Sequence, residues 1–502
     1  MTKPAQSQTA PIHAQNREAT LSALRSSPDF DAVIIGAGAT GLGIAVDAAS
    51  RGCRVLVVDA QDFCAGTSSR STKLIHGGLR YMKSPGQWSM IKSALAEQQI
   101  LLRNAPALVK PQAFVIPGYS LASLPFYGAG VAMYSSMFAG GLGLARMRTL
   151  GRLATMAELP GLRRKGLKGS IKFWDAQFDD ARMGIALLHT ALGMGALALN
   201  YCTVKGLSLG KAGIESALLR DEETGEEFRV TARVFFNCAG PWVDTVRRLA
   251  DPTCDDLVRV SRGSHIVVDA SVLPGASAMV IPKTSDGRLI FCIPWHGMLE
   301  IGTTDIEQKQ VPFETEPTED EVSFLLMTAS RYLQHPIEKK DVRAAFAGLR
   351  PLVKQRKGDT ASSRLSREHE ILAEFGNLLS ITGGKWTSYR LMAEDAIARA
   401  IRMQLLPAPK GCLTRNLPLA VDLTMDPASL EVEAVKSSDL EAVRARIRAY
   451  ARHAALTSGA RRAADVLYRR LRVGQMDARR TEELLADAQA GIDEILGKAP
   501  AV

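Results

Sequence analysis

Three glycines in the stretch Asp31-Ala-Val-Ile-Ile-Gly36-Ala-Gly38-Ala-Thr-Gly41-Leu-Gly43 follow an apolar run at G-x-G-x-x-G spacing. Glycine suits each place for a mechanical reason. Gly36 permits the tight turn, Gly38 lets a pyrophosphate approach the backbone, and Gly41 lets a helix pack close to the strand. Free N–H groups at the start of that helix hold the phosphate charge. A second apolar run, Val55-Leu56-Val57-Val58, ends in Asp59, whose carboxylate suits a ribose hydroxyl. Together these residues predict a strand–turn–helix–strand unit that binds a dinucleotide.

The second run is followed closely by Thr67-Ser68-Ser69-Arg70-Ser71-Thr72-Lys73-Leu74-Ile75-His76-Gly77-Gly78-Leu79-Arg80-Tyr81. This polar, glycine-bearing loop suits a flavin, which needs backbone donors at its pyrophosphate and isoalloxazine edge. The loop resembles the signature T-S-S-x-S-S-K-L-I-H-G-G-L-R-Y of the FAD-dependent glycerol-3-phosphate dehydrogenases of the aerobic, quinone-linked type, with Thr72 in place of a serine. The Gly36–Gly52 stretch is also similar to that family. The resemblance runs from about Asp29 to Ala400 and thins beyond Leu405, where the family's C-terminal domain looks shortened. It implies FAD as cofactor, held by Gly36, Gly38, Gly41, Asp59, Thr67, Ser68, Ser69, Lys73, His76, Gly77 and Gly78. A later strand, Gly-Gly turn and helix, Leu378–Arg390, adds Gly383, Gly384, Lys385 and Thr387.

The implied reaction is oxidation of sn-glycerol 3-phosphate to dihydroxyacetone phosphate, with hydride passing to FAD and electrons to membrane quinone. A phosphate dianion calls for cations, and the planar fork of arginine binds its oxygens in pairs. Arg350, in Ala347-Gly-Leu-Arg350-Pro, is the strongest candidate, followed by Arg80 and Arg367. Thr304, in Ile301-Gly-Thr-Thr304-Asp, matches a family motif that shapes the site. The alcohol proton needs an acceptor. His265, in Gly263-Ser264-His265, titrates near neutrality when unperturbed. Lys385 is the other candidate, because burial and a helix N-terminus would both lower its pKa; it could equally stay charged and hold substrate. Alternatives within reach are a glycerol-3-phosphate oxidase using oxygen, another FAD-dependent oxidase of the same fold, and a non-catalytic flavin-binding partner subunit.

The 502 residues suffice for two or three domains, and a net charge of +10 suits anionic small molecules or an anionic membrane face. No zinc-finger or RNP-like pattern points to nucleic acid. Seven cysteines without a C-x-x-C pair read as reduced cytoplasmic thiols, with no metal.

The elements that must position these residues follow from patterning. The expected fold is α/β, a Rossmann-like FAD-binding domain of the glutathione-reductase/D-amino-acid-oxidase type. It is expected in three pieces, 29–108, 174–258 and 345–402, with a β-rich substrate domain from 109–173 and 259–344. Residues 403–502 read as a basic helical region whose arginines face solvent or anionic lipid, and residues 1–28 as a disordered tail without a secretory signal. No charged residue occurs from Pro111 to Ala145. Pro117 and Pro125 break it, and the small-residue remainder from Phe126 to Ala145 reads as a buried helix first, a monotopic membrane contact second and a span last. The resemblance favours membrane contact, with the protein cytoplasmic and peripheral on the inner face of the cell membrane, and admits a homodimer.

Overall fold

The computed structural model describes residues 11–79, 88–137, 147–282, 284, 287–354, 369–407 and 410–497. Two sheets organise it. The first runs Glu374–His369, Leu378–Gly383, Glu227–Asn237, Asp29–Ile35, Val55–Val58 and Leu197–Leu199 in spatial order. All neighbours are parallel except the outermost pair, His369–Glu374 with Leu378–Gly383. Parallel strands are covered on both faces and so read as continuous apolar runs. Val55–Val58 is buried throughout. Along the first strand, Ala32 and Ile34 face one cluster while Val33 and Ile35 face another.

Three helices cover the first face: Ala39–Ser50, Asp180–Gly193 and Tyr389–Arg402. Their small residues allow close approach; a Cβ at Gly43 would meet the Tyr389 ring at 2.8 Å. The hairpin Cys202–Leu209 and Ile214–Asp221 covers the second face, joined by a helix at Arg17–Ser26. This helix corrects the expectation of a disordered tail over that stretch. Asn16 caps it, and Leu21 and Leu24 are buried against the sheet. Such burial offsets the ordering entropy that a purely polar segment could not.

The second sheet has ten strands and is almost entirely antiparallel. Toward one end it pairs Val258–Asp269 with Met298–Gly302 and with Val342–Val353, setting Ser261 opposite Arg350 and His265 opposite Gly302. Val109–Gly118 and Gly169–Phe178 extend it on the other side. Within the charge-free segment the described residues include the helix Ser123–Ser136, and it is not the buried helix expected first: Val131 and Tyr134 point inward, while Leu121, just before it, Phe126 and Met133 are exposed, and residues 138–145 lie outside the described residues. Among the described residues, no helix is long and apolar enough to cross a membrane.

The C-terminal region is helical, as patterning predicts. Leu440–Ser458 packs along Ala478–Leu496 around Val443, Ile447, Leu484 and Ile492. A Cβ at Gly491 would lie 2.3 Å from the carbonyl oxygen of Arg448, so the crossing there requires glycine.

Candidate active site

The two sheets meet at a cavity of about 420 Å³. Gly36 and Gly38 form part of its floor at the mouth of the first strand. Gly36 has φ +104°, and a Cβ there would stand 2.5 Å from the carbonyl oxygen of Cys238. Gly38 caps the helix Ala39–Ser50 without a side chain of its own, and the Ala39 N–H donates to the Ser68 hydroxyl at 2.9 Å on the cavity wall. Gly41 lies behind this turn; a Cβ would meet the carbonyl oxygen of Gly36 at 1.9 Å. Asp59 accepts hydrogen bonds from the N–H groups of Ala37 at 2.7 Å and Gln61 at 2.9 Å. Burial nonetheless pushes its carboxyl up to about 6.

The cavity wall continues through Thr67, Ser68 and His76 to the turn Gly383, Gly384, Lys385 and Thr387. That turn is tied to the loop beside it. The Trp386 indole donates to the carbonyl of Ser68 at 2.8 Å, and the Thr387 hydroxyl to that of His76 at 3.3 Å. Ser69, Lys73, Gly77 and Gly78 stand outside the cavity wall. The Ser69 carbonyl accepts from Arg472 at 2.8 Å and Gln475 at 2.9 Å. The Gly77 N–H donates to the Tyr134 hydroxyl at 3.0 Å, which in turn donates to Asp175 at 2.9 Å. Lys73 turns its side chain away from the cavity and into the protein, 3.4 Å from Asp180 and 3.7 Å from Glu300. It is a buried ion-pair partner, not a cavity contact.

His265 and Arg350 share the far end of the cavity with Thr72 and Gly348. Arg350 is aimed by its neighbours. It donates to the carbonyl of Thr304 at 3.0 Å and the hydroxyl of Thr303 at 2.9 Å, and it lies over Gly263, where a Cβ would collide with the guanidinium. Thr304 itself is buried behind the wall. Its hydroxyl accepts from the Ser264 N–H at 2.8 Å and donates to Glu321 at 2.7 Å. Its role here is to fix Arg350. Arg80 and Arg367 lie outside the described residues.

His265 is buried and stacked on Phe346 at 4.8 Å, with Nε2 2.9 Å from the Thr72 hydroxyl. Burial, then the charges of Lys73 and Arg350, hold its pKa well below the usual range. It is therefore a neutral imidazole at physiological pH.

The glycine cradle, the carboxylate at the end of the second strand and a cavity that extends past the helix start to a cationic end all fit FAD. Residues 31–390 match the family described as FAD dependent oxidoreductase. The chain belongs to that family. Its cofactor is FAD, and it is an oxidoreductase. Among its relatives, the mitochondrial glycerol-3-phosphate dehydrogenase of Mus musculus is 38% identical over 80% of this chain and 57% of its own length. The mitochondrial glycerol-3-phosphate dehydrogenase of Arabidopsis thaliana is 37% identical over 82% of this chain and 67% of its own. The chain thus spans little more than half the length of the mammalian relatives it matches. A solved glycerol-3-phosphate dehydrogenase from Bacillus halodurans, complexed with FAD, superposes with TM-score 0.75 at 25% identity, over 96% of this chain and 93% of that one.

Sequence reasoning missed several residues that line the cavity or support its wall from behind. Arg472 is fully buried, 3.0 Å from Asp180, beneath the flavin loop. Arg469 and Arg470 are buried on Asp62, close after Asp59. All three come from the region expected to face solvent. Their alternation with Val466, Leu467 and Leu471, all fully buried, was the available signal. Trp242 and Phe313, with ring centroids 4.8 Å apart and planes tilted by 34°, line another part of the cavity; nothing in their spacing brings them together.

Proposed function

We propose that this enzyme oxidises sn-glycerol 3-phosphate to dihydroxyacetone phosphate, with FAD as hydride acceptor and membrane quinone as the final electron acceptor. The observation that carries the reading is Arg350, held rigid by Thr303 and Thr304 at the cavity end that also holds His265. A fixed guanidinium binds a phosphate dianion with little ordering cost. The names of the relatives supply the same substrate. Bound FAD supplies the two-electron acceptor. Arg350 then fixes the phosphate, and the neutral imidazole of His265, reached through Thr72, is free to take the alcohol proton. Lys385, on the cavity wall at the Gly-Gly turn, adds positive charge where substrate and reduced cofactor are anionic.

Peripheral membrane contact is supported by the exposed Leu121, Phe126 and Met133 of the charge-free segment. Anaerobic titration with glycerol 3-phosphate tests the substrate: the flavin absorbance should bleach, and unphosphorylated glycerol should leave it unchanged. A flavin that stays oxidised overturns the reading. Stoichiometric hydrogen peroxide under air would replace the quinone with oxygen.

A further inference from the structure

A buried group of charges lies directly behind His265. Glu300 sits on the strand Met298–Gly302, paired across the sheet with Val267 and Ile293. It is 2% exposed, an uncommon place for a glutamate. One carboxylate oxygen, Oε2, lies 3.7 Å from Lys73 Nζ. The other, Oε1, lies 3.7 Å from His265 Nε2, the nitrogen that contacts Thr72. Among the described residues, Oε1 has no hydrogen-bond partner, and neither does His265 Nδ1. Asp180 and Arg472 complete the group, 3.0 Å apart.

We propose that Thr72, His265 and Glu300 form a proton relay that leads from the cavity to a buried carboxylate, with Glu300 as its terminus. The proposal rests on alcohol oxidation as the reaction. As the carbinol C–H bond breaks, its electron pair leaves with the hydrogen as hydride to the flavin, and the C=O bond forms. The alcohol O–H proton passes to Thr72 Oγ while the Thr72 proton passes to His265 Nε2. In-plane rocking of the imidazole, between Phe346 and Gly302, brings Nε2 to Glu300 Oε1 and delivers the proton there.

The charges favour this direction. His265 is a poor resting place for a proton, because Lys73 and Arg350 repel it and burial penalises it. Burial raises the Glu300 carboxyl to about 7, with Lys73 and Arg472 opposing and Asp180 adding to the rise. A protonated Glu300 leaves Asp180 still paired with both Lys73 and Arg472. Glu300 is a positioning residue that acts through His265; it does not line the cavity.

The test is the limiting rate of anaerobic flavin reduction by glycerol 3-phosphate, measured by stopped flow across pH in the FAD-loaded enzyme. In the wild type the rate should rise with pH through about 7, because only ionised Glu300 accepts a proton. Glu300→Gln should remove that limb and slow reduction on the order of 100-fold at pH 8, with substrate affinity and FAD content unchanged. Because the Gln variant removes a partner of buried Lys73, Thr72→Val provides a second interruption. It should slow reduction comparably, and Thr72→Ser should restore the rate. Retention of the limb in Glu300→Gln, or wild-type rates in Thr72→Val, overturns the relay. A Glu300→Gln protein that does not fold leaves the decision to the two Thr72 variants. A wild-type flavin that stays oxidised at every pH overturns the substrate reading, and the relay with it.

Discussion

The two ends of the cavity are built from different materials. At the nucleotide end the architecture is mostly main chain: the turn at Gly36, the glycine cap at Gly38, and backbone N–H groups that orient Asp59. At the far end it is side chains on separate strands, with His265 on Val258–Asp269 and Arg350 on Val342–Val353, while Glu300 on Met298–Gly302 lies behind the wall. A backbone site tolerates few residue types and fails as a unit. A side-chain site can lose one function while the cofactor stays in place. The contrast shows why holding a cofactor and choosing a substrate can be separated in one cavity.

Substitutions can break that contrast, and the largest effect belongs to the backbone end. Gly36→Val puts a branched side chain at φ +104° and against the Cys238 carbonyl, so it should cost more than about 4 kcal/mol and abolish flavin binding. Absorbance at 450 nm per protein and a thermal melt will read both losses. Next is Arg470→Met. It strips a fully buried guanidinium from Asp62 and should destabilise by about 3–5 kcal/mol in denaturant unfolding. Arg350→Leu should lower kcat/KM roughly 10- to 150-fold with FAD content unchanged, since bonds to charged groups contribute about 1.5–3 kcal/mol. If that variant also loses FAD, the two ends are not independent.

The remaining effect is a pH dependence. Burial raises the Asp175 carboxyl from 3.8 to about 7. Native protein thus holds a proton that the unfolded chain releases between those values. This contribution to stability is full below the unfolded pKa and is lost as pH rises through about 7. Asp175→Asn cannot titrate, so melting curves should show the wild type losing stability relative to the variant from pH 4 to pH 8. Parallel curves would mean that Asp175 keeps its charge.

What was legible in the sequence follows the same division. The turn at Gly36, the approach at Gly41 and the run Val55–Val58 each reflect a local geometric demand that few residue types meet. The runs around His265 and Glu300 read as strands because alternation is local too. The destinations of single charges were not legible. Lys73 sits in a cofactor-like loop yet points into the core, because Asp180 and Glu300 arrive there from distant segments. Arg469, Arg470 and Arg472 belong to a basic stretch whose ordinary fate is solvent, and only the tertiary fold supplies the carboxylates that bury them. The helix Ser123–Ser136 misled in the opposite sense: its apolar composition suggested burial, and its placement at the surface leaves half of it uncovered.

The pairing of Asp62 with Arg470 spans 408 residues of chain. On a ribosome, Asp62 emerges early and Arg470 near the end of the described sequence. The nucleotide sheet needs its strand at Leu378–Gly383, and the arginines come later still. Until those arginines emerge, the chain therefore carries carboxylates whose native partners have not yet been made. The loop that carries Asp62 and Ser69 can close only after Arg472 has emerged, so termination anywhere before Arg472 yields a product with uncompensated charge in its interior, a substrate for quality control rather than a smaller enzyme.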